Sequence, residues 1–297
     1  LKLLKCKTML LSTIFFLLIC PTVTFAYDGN YYDFNKSSIE DLSNGSDDIL
    51  GKGNSLGFTL KLKDEDSRWQ SGGIDHTHQF LTSKAIKILI NDKGQKYEKL
   101  IYPYAHKLLI GSDLPDTDER FPLYAHHFYN PYIKKNYLLY KDTAKSRFVH
   151  HSLRAKELYS TDKELAFEEL GRAFHYLADL NEPHHASNAP AIITNHSLYE
   201  KWVDDHRKNY GINSASSYDL CYSESYESFL NTVAEKSAYN AYSYMKLSDK
   251  KYIEPYGIYP LILNDTKSFD KSAKATLSYC QDLMASCLFR FFEETKS

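Results

Sequence analysis

No apolar run in the sequence is long enough to cross a bilayer. The longest, Met9 to Cys20, falls short of the roughly 20 residues that a spanning helix needs. It follows Lys2, Lys5 and Lys7 and precedes Thr24-Phe25-Ala26, the arrangement of a secretory signal. Residues 1–26 are therefore read as a signal peptide, and a soluble, secreted, extracellular mature chain is expected. Cysteine is scarce as well. Of five, Cys6 and Cys20 fall in that leader, and Cys221, Cys280 and Cys287 are an odd set with no paired disulfide framework. Basic excess is also missing: 36 Lys and Arg face 38 Asp and Glu, a formal net charge of −2. Bulk attraction to a polyanion is thus disfavoured, and no nucleic-acid partner is expected. Alternation of the kind that marks strands is weak throughout, and no internal repeat is found.

Residues 27–68 are rich in Asp, Ser, Gly and Asn with weak periodicity, the composition of a propeptide or linker. After Trp69 the texture changes. Apolar residues recur three and four apart, as in Phe80, Leu81, Ala85, Ile88 and Leu89, and again in Leu165, Leu170, Phe174, Leu177 and Ala178. Further helices are predicted at 96–109, 148–160, 197–209, 226–246 and 269–294. The intervening 111–121, 129–132, 181–195 and 249–260 carry Pro, Gly, Asn and Asp and read as loops. The expectation is an all-α, single-domain multi-helix bundle over residues 69–297, acting as a monomer.

The 12 histidines cluster as His76/His78, His126/His127, His150/His151 and His184/His185, a distribution that suggests metal. The densest signal is the stretch from Phe174 to His185. His175 and Asp179 lie four apart on one helical face, and Pro183 then breaks the helix so that a further ligand can return from the loop. His196 and Glu200 repeat the spacing. Either pair alone is more often a helix-stabilising contact than a metal site. Together, in an apolar setting, they need a partner to offset desolvation, and metal becomes the better reading. Trp69 alone would be an anchoring core residue.

Trp69, Asp75-His76-Thr77-His78, Gly111-Ser112-Asp113-Leu114-Pro115-Asp116, His126-His127-Phe128, His175-Tyr176-Leu177-Ala178-Asp179, His185-Ala186-Ser187-Asn188 and His196-x-x-x-Glu200 occur in one order. That order resembles the bacterial zinc-dependent phospholipases C, the family of the cereus-type and listerial enzymes and of the catalytic domain of clostridial alpha-toxin. The similarity runs from Trp69 to about Tyr210 and more loosely to the end. It implies a trinuclear zinc site. One ion would take Asp116, His127, His175 and Asp179. A second would take the amino group and carbonyl of Trp69 with His78 and a bridging Asp179, and a third His185, His196 and Glu200. A one-residue slip within each histidine pair would exchange partners, and the unused member is expected to be a surface histidine or a supporting donor. Because an internal peptide nitrogen cannot ligate, the resemblance also implies a zymogen, cut between Arg68 and Trp69.

The implied activity is hydrolysis of glycerophospholipids at a membrane surface to diacylglycerol and a phosphorylated head group. Asp116 is the candidate proton acceptor, with Glu200 as the alternative. Where the cereus-type enzyme lines its choline site with a glutamate and a tyrosine, this sequence has Gly72 and Thr117. Tyr124 keeps an aromatic for substrate binding, so relaxed head-group choice is expected. No C-terminal β-sandwich of the alpha-toxin kind is expected. Two rivals remain: a zinc-dependent single-strand nuclease on the same scaffold, and a secreted helical binding protein that uses zinc structurally.

Overall fold

The computed structural model describes residues 76–191, 194–222, 225–249 and 266–296. Expectations for the signal peptide, the propeptide, Trp69 and Gly72 lie outside the described residues. Those described are helical, with one isolated antiparallel bridge, Asn130 to Lys135, and no strand among them. The helices are α1 (Thr77–Lys93), α2 (Lys96–Ile101), α3 (Ala105–Gly111), α4 (Pro115–Asp118), α5 (Ala144–Leu158), α6 (Lys163–Leu180), α7 (Pro183–Ala186), α8 (His196–His206), α9 (Tyr226–Ser243), α10 (Met245–Ser248) and α11 (Phe269–Glu294).

The boundaries follow local chemistry. The helix expected over 96–109 is interrupted by a 3-10 turn at Tyr102–Tyr104, because Pro103 has no N–H for the ladder. That expected at 148 starts at Ala144, where Thr143 and Ser146 form a reciprocal capping box. Asp162 caps α6 by accepting from Leu165 N, and Ser225 caps α9 by accepting from Ser228 N. The loops expected at 111–121 and 181–195 each contain a single helical turn, α4 and α7. Both begin with Pro at the first helical position, where its missing N–H costs nothing.

Helix α6 is the axis of the packing: α3, α5 and part of α1 lie against it, while α11 runs along α1. Phe80, Leu81, Phe148, Phe167, Phe174, Leu177, Phe229, Phe291 and Phe292 are buried in one continuous core spanning these helices. At the crossing of α3 and α6 two glycines meet. A Cβ on Gly171 would stand 2.3 Å from Leu108 O, and one on Gly111 would stand 2.2 Å from Glu168 O. Only hydrogen side chains permit that approach. It presses the end of α3 against the third turn of α6, which is where the chemistry begins. No described helix is long and apolar enough to cross a membrane.

Candidate metal centre

His175 and Asp179 stand on the last turns of α6, both buried. The glycine crossing places Ser112 O 3.0 Å from His175 Nδ1. A carbonyl only accepts, so Nδ1 carries the proton and a neutral ring keeps its lone pair on Nε2. The 3-10 turn Ala125–His127 brings in His127, whose Nε2 donates to Glu119 O at 3.2 Å and leaves Nδ1 as the lone-pair atom. These two lone pairs face each other at 3.1 Å. His127 Nδ1 is 2.9 Å from Asp179 Oδ2 and 3.6 Å from Asp116 Oδ1, and His175 Nε2 is 3.4 and 3.7 Å from the same oxygens. Two imidazole nitrogens and two carboxylate oxygens thus converge on one point. Four electron-rich atoms in a buried pocket repel unless a cation lies among them.

His78, on the first turn of α1, stacks its ring on His175 at 4.1 Å between centroids. Together with Asp116 and His175 it forms a second group, whose candidate ligand atoms lie within 4.8 Å of one another. Burial and the neighbouring His175 push its pKa down to about 3, so it stands as a neutral base able to ligate.

The remaining residues meet across α7 and α8. His185 donates from Nδ1 to His127 O at 2.9 Å and turns Nε2 toward Glu200 Oε1, 3.5 Å away. His196 Nε2 is 3.0 Å from the same oxygen. Both nitrogens of His196 and both oxygens of Glu200 are buried without a hydrogen bond of acceptable geometry. Each group left so costs about 1–3 kcal/mol, which a shared cation would recover. The charge balance points the same way. Burial lowers His175 and His185, yet carboxylates led by Asp179 overcome it and raise them to about 9 and about 10. The pocket is built for positive charge.

The eight described members of the expected ligand set are therefore brought together, and Trp69, the ninth, lies outside the described residues. Tyr124 sits half-buried beside them, its ring 5.6 Å from that of His127. The unused histidines depart from a purely surface role. His126 is buried against Glu119 O. His184 is buried and bonded to Glu182 Oε1 at 2.8 Å, and His151 is buried between Glu169 and Glu119. His150 is exposed.

Two acids escaped the sequence reading. Glu182 caps α7, its Oε2 accepting from His185 N at 2.6 Å and so fixing that candidate's backbone. Its place before Pro183 and three before His185 is a capping signal that could have revealed it. Glu182 also groups with His185 and His196 as a possible ligand. Its oxygens are already engaged, whereas those of Glu200 are not, so Glu200 is the better candidate. Glu119 is the other. Its carbonyl fixes the His127 tautomer, and its carboxylate accepts from Tyr176, Arg172 and Arg147 at 2.8, 2.7 and 3.1 Å. No local pattern marks it, because those partners arrive from α5 and α6.

The family profile described as zinc dependent phospholipase C matches residues 77–244. The phospholipase C of Clostridium novyi is 29% identical over 257 residues, covering 80% of this chain and 62% of that relative. The phospholipase C of Bacillus cereus is 30% identical over 153 residues, covering 48% of this chain and 54% of the relative. Among solved structures the alpha toxin of Clostridium absonum superposes with a TM-score of 0.66 at 20% identity, over 79% of this chain and 66% of that one. The chain thus spans about half to six tenths of the length of the curated relatives it matches.

Proposed function

The chain belongs to the zinc dependent phospholipase C family, and from that premise we propose that it is a secreted phosphodiester hydrolase acting on glycerophospholipids with three zinc ions. The observation that carries this reading is the convergence of His127 Nδ1, His175 Nε2, Asp116 Oδ1 and Asp179 Oδ2, each imidazole held by a backbone carbonyl in the tautomer that frees the inward nitrogen. The donor set suits zinc: imidazole and carboxylate only, with no thiolate. Asp116, His127, His175 and Asp179 would hold one ion. His78 and Asp179 with the amino group and carbonyl of Trp69 would hold a second, and His185, His196 and Glu200 a third. Bound zinc supplies Lewis-acid neutralisation of the phosphodiester's charge and a lowered pKa for water.

The protein's own groups divide the remaining work. Asp179 has both oxygens engaged, Oδ2 toward His127 and Oδ1 toward His185 at 3.3 Å, and so ties two of the groups together. Asp116 keeps 8% of its surface exposed while Glu200 has none. Burial raises the Asp116 pKa, but His175 and His127 more than reverse that, leaving a carboxylate at neutral pH. It is therefore ionised, slightly more exposed than Glu200, and our candidate to accept a proton. Tyr124 would flank the head group, while Thr117, exposed and bonded to Leu114 O at 2.7 Å, offers neither a ring nor a charge to a choline. On that ground we propose a broad head-group range.

The relatives found are phospholipases C, and the nuclease alternative has no support from them. The test uses protein beginning at Trp69, with metal analysis alongside parallel assays on phosphatidylcholine, phosphatidylethanolamine and single-stranded DNA. Two or three zinc ions per chain and diacylglycerol release are expected. DNA cleavage without lipid hydrolysis, or full activity with less than one ion, would overturn the proposal.

A further inference from the structure

Nine large hydrophobic residues are exposed among those described, and six of them fall between residues 121 and 140: Phe121 at 89%, Leu123 at 62%, Tyr132 at 63%, Ile133 at 49%, Leu139 at 62% and Tyr140 at 53%. Such a concentration is not the scatter normal for a soluble surface. Nor is it a loose loop. Asn130 Oδ1 accepts from Tyr132 N and Ile133 N, and Asn136 Oδ1 from Leu138 N and Tyr140 N. Both asparagines are buried, so two tight turns are built from inside and lift these side chains outward. Leu123, Lys134 and Leu139 hold positive φ angles of 52°, 58° and 63°. Side-chain-bearing residues rarely adopt that region unless the surroundings impose it. The fold therefore holds apolar groups out toward solvent.

The same segment has a one-sided charge. Residues 120–141 contain Arg120, Lys134, Lys135 and Lys141 and no acid, in a chain whose formal net charge is −2. Lys134 is paired with Glu235 at 2.7 Å. The inner side of the segment supplies His127 to the candidate metal centre, and its exposed part is tied to that site: Phe128 stacks on His185 at 4.5 Å, Tyr137 packs on Phe128 at 4.8 Å, and Tyr137 donates to Leu123 O.

We propose that residues 120–141 form the surface by which this protein docks on an anionic phospholipid bilayer, the apolar tips entering the interface while the lysines and Arg120 meet the lipid charge. Exposed aromatic and aliphatic side chains in a segment that carries cations and no acid are the chemistry of interfacial binding. The inference deepens the phospholipase reading and rests on it for the purpose of docking, but its readout does not depend on turnover.

The experiment is co-sedimentation of the zinc-loaded protein with phosphatidylcholine vesicles containing none or about a third phosphatidylglycerol, alongside hydrolysis of a short-chain lipid below its micellar concentration. The variants are F121S, the double variant L139S/Y140S, and K135E/K141E. Wild type is expected to bind the anionic vesicles more tightly than the neutral ones. Each apolar variant should lose at least roughly tenfold in partitioning. K135E/K141E should lose about fivefold or more per lysine on anionic vesicles only. Hydrolysis of monomeric lipid should stay within about twofold for all three variants, since none of these side chains touches the metal centre. Unchanged sedimentation in the apolar variants would overturn the proposal, as would an equal loss on monomeric lipid. Sedimentation that behaves as expected, with no hydrolysis of any lipid, would sustain the docking surface and overturn the phospholipase reading instead.

Discussion

Glu119 offers the most demanding test of how the site is held, because replacing it by glutamine keeps the shape and removes only the charge. Its Oε1 accepts from Arg172 and lies 3.4 Å from His151 Nε2, while Oε2 accepts from Tyr176 and Arg147. In Glu119→Gln one of those oxygens becomes an NH2 that faces donors. Two contacts are lost, although Arg172 keeps its paired bonds to Asp118 and Arg147 its paired bonds to Asp142. Removing one member of a largely buried ion pair costs about 3–5 kcal/mol. Arg147 is partly exposed and both arginines keep an aspartate, so the cost falls below that range, about 2 kcal/mol, or roughly 6 °C in Tm for a domain of this size. The sign with pH is fixed. Burial raises the Glu119 pKa, but His151, Tyr176 and Arg172 reverse this and hold it well below its ordinary 4.5. Its contribution is therefore present above about 4.5 and lost as pH falls toward the lowered value. Glu119→Gln should show less of the acid-side fall in stability that wild type shows. Denaturant unfolding from pH 3 to 8 measures both quantities. Because the carboxylate's contacts anchor the backbone whose carbonyl orients His127, zinc retention under mild chelation should also weaken. A stability change under about 1 kcal/mol with unchanged zinc affinity would refute the idea that this carboxylate organises the centre.

Asp179→Asn should lose at least one zinc ion and at least roughly a hundredfold in turnover, since both oxygens of Asp179 face candidate ligands; metal analysis with lipid hydrolysis decides it. His151→Ala should cost about 3 kcal/mol, because the ring is buried with Nδ1 2.6 Å from Glu169, whereas exposed His150→Ala should stay within about 0.5 kcal/mol. Burial lowers the His151 pKa, but Glu119 and Glu169 raise it above 6.5. Its contribution is full below 6.5 and lost as pH rises through the raised value, so thermal unfolding of His151→Ala should show a flatter alkaline side. Chain that still carries residues 27–68 should be inactive until the Arg68-Trp69 bond is cut, checked by N-terminal sequencing alongside hydrolysis.

The sequence by itself determined the helical class and marked two four-apart pairs as candidates. His175/Asp179 and His196/Glu200 were legible because a spacing of four puts side chains on one helical face whatever surrounds the helix. The extent of α11 was read without error, since its long apolar periodicity needs no outside help. Helix α5 was read as starting four residues late, because a Thr-x-x-Ser box is a faint signal beside an apolar stripe. Tertiary structure decided the rest. Which nitrogen of His127 and of His175 turns inward depends on Glu119 O and Ser112 O, and Ser112 lies 63 residues from His175. Its approach depends in turn on two glycines meeting where α3 crosses α6. Glu119 looked ordinary in the chain for the same reason: a buried charge is defined by what reaches it, and its partners are distant in sequence. Periodicity is a property of one helix, whereas convergence of lone pairs is a property of several at once.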